Sequence, residues 1–143
     1  MTDVWVAGVY DARQREPAIG GWICPALRVY AVTRRARAVN SNDAMRVGAA
    51  MAILSATHHI DGHLIVHLPA SLKPRWVARP GAQVPMRNLL YRLRYCLDVH
   101  PRIESGEITI VQDYNPMLAS QLDALLRRGE EPRYVPATAQ VFQ

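Results

Sequence analysis

Residues 4–10, Val-Trp-Val-Ala-Gly-Val-Tyr, lack any charged side chain and would give an extended strand two apolar faces. Such a strand must be covered on both sides and is predicted to lie at the centre of a sheet. The chain has 143 residues, half of them apolar, so one domain can supply that cover. This segment therefore limits the fold to a sheet that other elements enclose.

Two more strand-like segments follow closely, at residues 19–24 and 27–33. A turn at Pro25 and Ala26 joins them. Because all the connections are short, we expect the first three strands to form an antiparallel meander.

A helix is predicted over residues 44–57, which are rich in alanine and methionine. The side chains of Ser41, Asn42 and Asp43 precede it and are typical helix caps. The small residues of this helix would allow it to lie close against a sheet. A strand over residues 63–68 follows, and the helical crossover predicts that this strand is parallel to the first.

The remaining elements are a helix over residues 86–99, a strand over 107–112, and a helix over 118–128 that ends at Gly129. The element order predicts an α/β fold with a five-stranded mixed sheet, in which parallel strands follow three antiparallel ones and helices flank the sheet. Residues 129–143 are predicted to form an extended C-terminal tail.

No apolar stretch approaches the roughly 20 residues that a membrane-spanning helix needs. The chain starts with Met1, Thr2 and Asp3, without the basic start and apolar block of a secretory signal. We therefore expect no membrane partner and a cytoplasmic location. Cys24 and Cys96 lie far apart in apolar segments, which is typical of free buried thiols and not of a disulfide or metal pair.

Several short motifs, in this order along the chain, resemble the ribonuclease H family. They are Val9-Tyr10-Asp11-Ala12 with Gly20-Gly21-Trp22, the helix start Ser41-Asn42-Asp43-Ala44-Met45, the helix segment Met86-Arg87-Asn88-Leu89-Leu90-Tyr91, and Leu122-Asp123-Ala124-Leu125. The resemblance covers residues 4–128 and implies a ribonuclease H-like domain over residues 1–128.

Enzymes of this family hydrolyse the RNA strand of an RNA/DNA hybrid with two divalent metal ions, which four carboxylates hold. The resemblance implies that Asp11 and Asp123 are two of these four. Arg46 stands where the family has a glutamate, and residues 68–70, where the fourth-strand ligand should fall, contain no acidic side chain. The resemblance therefore implies a catalytically degenerate member, a pseudoenzyme, for which we expect no metal or other cofactor.

The two remaining carboxylates would repel each other if they met near the centre of the sheet. We therefore expect Arg46 to reach between Asp11 and Asp123 as a fixed counter-charge. Asp43 is interpreted as a helix cap and Asp113 as a turn residue, and neither is predicted as a metal ligand.

Four histidines fall close together, at His58, His59, His63 and His67. His63 and His67 share a face of the predicted strand but would stand about 13 Å apart, too far to bind one ion. All four are interpreted as ordinary loop and strand-edge residues.

The chain carries a net charge of +5, and Lys73 is the only lysine among its 17 basic residues. Arginine suits bidentate phosphate contacts and stacking on bases. A coding bias toward GC-rich codons would produce the same excess, and both explanations stay open. One basic group is Arg34, Arg35 and Arg37, and a second, predicted to bind nucleic acid, is Lys73, Arg75, Trp76, Arg79 and Arg87. Trp76 would either stack on a base or pack beneath a solvated arginine face.

Three functions fit these observations. The preferred one is a catalytically degenerate ribonuclease H-like protein that binds nucleic acid or a nucleic-acid-processing partner. The second is a protein-protein interaction module on the same scaffold. The third is an active nuclease on RNA/DNA hybrids, with a rearranged site at Asp11, Asp123 and Asp113 that would need Mg²⁺ or Mn²⁺.

Overall fold

The computed structural model describes residues 1–68, 101–102, 105–112, 115–133 and 139–141. Within these ranges, six strands form one sheet and two helices pack against it. The strands are β1 (Thr2–Tyr10), β2 (Ala18–Cys24), β3 (Val29–Val32), β4 (Leu64–Leu68), β5 (Ile108–Gln112) and β6 (Ala139–Val141), and the helices are α1 (Ser41–His59) and α2 (Pro116–Arg128). The helix predicted over residues 86–99 lies outside the described residues.

The sheet is mixed, as predicted, and its strands lie in the order β5-β4-β1-β2-β3-β6. β1, β2 and β3 form the antiparallel meander. β4 is parallel to β1, and β5 is parallel to β4. The sequence predicts five strands, but β6, which lies within the predicted C-terminal tail, pairs with β3 as a sixth, parallel strand. Its main chain covers the hydrogen-bonding groups that β3 would otherwise leave exposed.

The two helices cover opposite faces of the sheet, which explains why β1 is apolar throughout. Successive side chains of a strand point to opposite faces. Val4, Val6 and Trp22 therefore pack in the cluster that contains α1, whereas Trp5 and Ile23 pack against the leucines of α2. β1 is a central strand with cover on both sides, as its composition predicts.

Main-chain contact between α1 and the sheet depends on three glycines. A Cβ atom on Gly48 would lie 2.9 Å from the Cα of Gly8, and one on Gly20 would overlap the carbonyl oxygen of Gly48. Gly21 faces the other helix, where a Cβ atom would lie 2.8 Å from the Cδ2 of Leu126. The paired glycines of β2 thus allow a helix to approach on each face. Trp22 follows them, and its Nε1 donates a 2.7 Å hydrogen bond to the Oγ of Ser55 on α1.

The helix ends show which polar side chains act as caps. Asn40 is the N-cap of α1 and accepts a 2.8 Å hydrogen bond from the backbone N of Asp43. Asp43 accepts one in return from the backbone N of Val39, at 3.0 Å. The predicted capping role of Asp43 is confirmed, but the cap position itself is one residue earlier than the predicted group. Gly129 ends α2 in the left-handed conformation, with φ at 69°, as predicted.

Arg102 links three segments near the amino ends of β4 and β5. Its Nη1 donates to the carbonyl of Thr57 near the end of α1, and its Nη2 donates to the carbonyl of Gly62, each at 3.1 Å. Its Nε lies 3.1 Å from a carboxylate oxygen of Glu107, which directly precedes β5. One guanidinium therefore holds the end of α1, the loop before β4 and the start of β5.

The cysteines are predicted to be free buried thiols, and the structure confirms this for Cys24. Cys24 is a free thiol, fully buried on β2, and burial raises the pKa of that thiol. Cys96 lies outside the described residues. Neither of the two described helices has the length and apolar character that crossing a membrane requires.

Candidate functional site

Asp11 directly follows β1, at the end of the sheet where several segments meet. The backbone N of Asp11 donates a 2.9 Å hydrogen bond to the carbonyl of Pro17, which closes the loop between β1 and β2. Tyr10 pairs with Ala18 at the start of β2. The start of α1 packs here too, because Ala44 and Val47 share a cluster with Ala18. The carboxyl end of β1 therefore gathers residues from three separate parts of the chain.

Two arginines neutralise the Asp11 carboxylate. Arg13 donates from its backbone N and its Nε to Oδ1, each at 3.1 Å, and from its Nη2 to Oδ2 at 3.4 Å. Arg35 also lies close to the carboxylate, with its Nη1 3.7 Å from Oδ2. The Arg13 hydrogen bond is the main cause that lowers the pKa of Asp11, and the charge of Arg35 acts in the same direction while burial opposes both. The carboxylate is therefore ionised and held between two cations.

A β-bulge places Arg35 beside Asp11. Gly21 pairs with Val32, and in that register Ala18 would lie opposite Arg35. Ala18 instead pairs with Ala36, through backbone hydrogen bonds of 3.0 and 2.8 Å. The strand that continues β3 thus contains one extra residue, which is the definition of a bulge and redirects the side chains around it.

Thr33 repairs the ladder at this bulge. Its Oγ1 accepts a 2.9 Å hydrogen bond from the backbone N of Gly20 and donates one of 2.9 Å to the carbonyl of Arg34. Thr33 and Gly20 are both buried, so the N–H of Gly20 relies on this hydroxyl as its acceptor. The hydroxyl therefore satisfies groups that the irregular register would leave unpaired.

Five arginines form what we call the arginine rim, at the carboxyl end of β1. They are Arg13, Arg15, Arg34, Arg35 and Arg37. Four are exposed, and the side chain of Arg35 keeps 34% of its surface accessible. The acidic residues of the same two segments are Asp11 and Glu16, so the rim is net positive. The sequence identifies the group from Arg34 to Arg37 but misses Arg13 and Arg15, because only the pairing of Ala18 with Ala36 brings the two segments together.

The predicted bridge between Asp11 and Asp123 is wrong. Asp123 lies on α2 with its side chain half exposed, and it accepts a 2.6 Å hydrogen bond from the Nε of Arg127 one turn later. Among the described residues, the ion pairs of Asp11 are those with Arg13 and Arg35. Arg46 is half-buried on α1. Each carboxylate is neutralised by an arginine close to it in sequence, so neither needs a shared counter-ion.

These residues do not fit a two-metal centre. A hard divalent cation needs several oxygen ligands directed at one point. Asp11 is occupied by two guanidinium groups, and Leu68 at the end of β4 is a buried aliphatic residue. In the described ranges, no three side chains of histidine, cysteine, aspartate or glutamate are grouped as metal binding requires. Asp113, the remaining acidic candidate, lies outside those ranges.

Three of the clustered histidines make contacts within the fold. His67 Nε2 lies 2.8 Å from Asp3 Oδ1, which links β4 to β1, and its ring stacks on Trp5 with centroids 4.3 Å apart. His58 and His59 lie in the last turn of α1 and not in a loop, and their Nδ1 atoms face the carbonyls one turn earlier. His67 lies on an inner strand of the sheet and not at an edge.

The second basic group of the sequence lies outside the described residues: Lys73, Arg75, Trp76, Arg79 and Arg87. The arginine rim is therefore the candidate site that the structure describes. Comparison of the chain with known protein families and with curated proteins found no match to either.

Proposed function

We propose that this chain is a catalytically degenerate ribonuclease H-like protein that binds nucleic acid through the arginine rim. The observation that carries the proposal is the environment of Asp11. The carboxylate that the family would use for a metal ion is paired with Arg13 and Arg35. The same end of the sheet displays more arginines than acidic residues, which favours an anionic partner over a cation.

The sheet supports the ribonuclease H-like part of the proposal. The resemblance implies three antiparallel strands, a helical crossover and then parallel strands, with helices on the sheet. β1 to β5 and α1 have this order and these directions. Asp11 also stands directly after the first strand, where the resemblance requires the first carboxylate.

The chemistry of the arginine rim supports a nucleic-acid partner. Nucleic acid presents a regular row of phosphates, and contacts between these and arginine release bound counterions. A guanidinium offers five N–H donors in a planar fork that matches two phosphate oxygens. Four of the five arginines of the rim are exposed and can therefore contact phosphates.

A binding titration with matched substrates tests this proposal. Fluorescently labelled RNA/DNA hybrid, duplex DNA and single-stranded DNA of equal length are titrated with the protein at two salt concentrations. We expect binding to at least one of them at low salt, weakening by about tenfold or more from 50 to 200 mM salt if several phosphates are contacted. Incubation of the hybrid with the protein and Mn²⁺ is expected to leave the hybrid uncleaved.

The other outcomes separate the alternative functions. Manganese-dependent cleavage that Asp11→Asn abolishes would establish an active nuclease and refute the degenerate assignment. A complete lack of binding at low salt would refute nucleic-acid binding and leave the protein-protein interaction module as the favoured function.

A further inference from the structure

We infer that one phosphodiester group of the bound strand lies between Arg13 and Arg35, and that Asp11 is the positioning residue that holds both guanidinium groups for it. This inference rests on the proposed function and names the contact within it. It gives Asp11 a role opposite to that of a metal ligand, because its charge would organise an anion site.

The unused donors of the two arginines favour such a contact. Arg13 directs its Nε and Nη2 to Asp11, which leaves its Nη1 available, and 81% of its side chain is exposed. The side chain of Arg35 keeps 34% of its surface accessible, and its contact with Asp11, at 3.7 Å, is longer than a hydrogen bond. Two cations facing one carboxylate leave a net positive charge, which a phosphate would neutralise.

The backbone around both arginines is fixed before any ligand arrives. The backbone N of Arg13 is bound to Asp11, and Asp11 itself is bound to Pro17. Arg35 directly precedes Ala36, whose two hydrogen bonds to Ala18 anchor the second segment. A site that is already ordered loses less conformational entropy on binding than a pair of free arginines would.

The competing explanation is that Asp11 only satisfies its own turn and repels phosphate. The two explanations predict opposite effects for Asp11→Asn. If Asp11 only repels, removing its charge must strengthen binding. If Asp11 positions the arginines, the variant must weaken binding even though the protein becomes more positive.

The experiment compares each variant with a matched control at the opposite end of the sheet. Asp11→Asn is paired with Glu107→Gln, because both remove the charge of a carboxylate bound to an arginine. Arg13→Gln and Arg35→Gln are paired with Arg28→Gln, an exposed arginine in the turn between β2 and β3. All are titrated with the labelled nucleic acid that the unsubstituted chain binds best, and thermal unfolding confirms that each is folded.

We expect Arg13→Gln and Arg35→Gln each to weaken binding about fivefold to tenfold and to lower the slope of log K against log salt by about 1. Asp11→Asn should weaken binding about threefold or more, while Glu107→Gln and Arg28→Gln change it less than twofold. Asp11→Asn binding as tightly as Glu107→Gln, or more tightly, would refute the positioning role.

Two further results would contradict the inference in distinguishable ways. If nucleic acid binds but the Arg13 and Arg35 variants match Arg28→Gln, the phosphate contact lies elsewhere and the proposed function survives. If the unsubstituted chain binds no nucleic acid, both proposals fail together. Vesicles of phosphatidylglycerol serve as a second probe, and binding to these alone, with loss in the same two variants, would assign the site to lipid phosphate and refute a nucleic-acid strand.

Discussion

Thr33 is the single residue on which the geometry of the arginine rim depends most directly. It is buried at the bulge, and its hydroxyl serves one backbone donor and one backbone acceptor at the same time. Such a side chain is hard to recognise in a sequence, since threonine is common in strands for its shape alone. Its role follows only from the register of β2 against the segment after β3.

Thr33→Val should therefore destabilise the protein by about 1–3 kcal/mol, because it keeps the shape but leaves the buried N–H of Gly20 without an acceptor. Urea denaturation measures the free energy of unfolding. Thr109→Val, at an exposed position of β5, is the control and should change it by less than about 0.5 kcal/mol. Equal effects from both substitutions would show that the Thr33 hydroxyl does not repair the bulge.

At the scale of single elements, α1 shows how far local patterns carry a prediction. Its alanine-rich body, its polar start and its small residues predict a helix that packs closely on a sheet, and the structure confirms all three. The exact cap was missed because Asn40, Ser41, Asn42 and Asp43 are all good capping residues. Only the backbone angles decide between them, and Asn40 is the one in an extended conformation.

Asn40→Ala should accordingly lower the free energy of unfolding by about 1 kcal/mol, the usual value of an N-cap side chain. Asn42→Ala, inside the exposed first turn, is expected to leave stability unchanged or slightly raised because alanine favours helix. Chemical denaturation of both variants checks this. If Asn42→Ala were more destabilising than Asn40→Ala, the N-cap would lie at Asn42, within the capping group that the sequence predicts.

At the scale of the whole molecule, the close packing of α1 on the sheet contributes to the free energy of unfolding. Gly48 meets Gly8 and the carbonyl of Ile19, which are main-chain groups that cannot rotate away. Helix propensity alone predicts that Gly48→Ala stabilises the chain by about 1 kcal/mol. The packing predicts instead that Gly48→Ala destabilises the chain.

We expect Gly48→Ala to destabilise the protein by about 3 kcal/mol, since an added methyl group would force the helix away from β1 and β2. Gly21→Ala is the control, because its Cβ atom would meet chiefly the end of the flexible Leu126 side chain, and it should cost less. Thermal or urea unfolding ranks the two. A Gly48→Ala variant more stable than the unsubstituted chain would rule out the close packing of α1 on β1 and β2.

The sheet could be predicted from the sequence to a large extent, and the site could not. Residues 4–10 show by composition alone that they form a doubly covered strand, and the short turns and the crossover determine the directions of its neighbours. The convergence of Arg13 and Arg35 on Asp11 depends on one extra residue in a strand, which no periodic pattern encodes. β6 was missed for a related reason, because three residues pair with β3 through the main chain.

The two faces of the sheet are built differently, and this affects how the protein can change. On the α1 face, glycines set the spacing through main-chain contact, so substitutions there have no soft neighbour to absorb them. On the α2 face, Leu118, Leu122 and Leu125 dock through side chains that can adopt other rotamers. The α1 face should therefore tolerate few substitutions and the α2 face more. We expect natural and engineered sequence changes to accumulate on the α2 face.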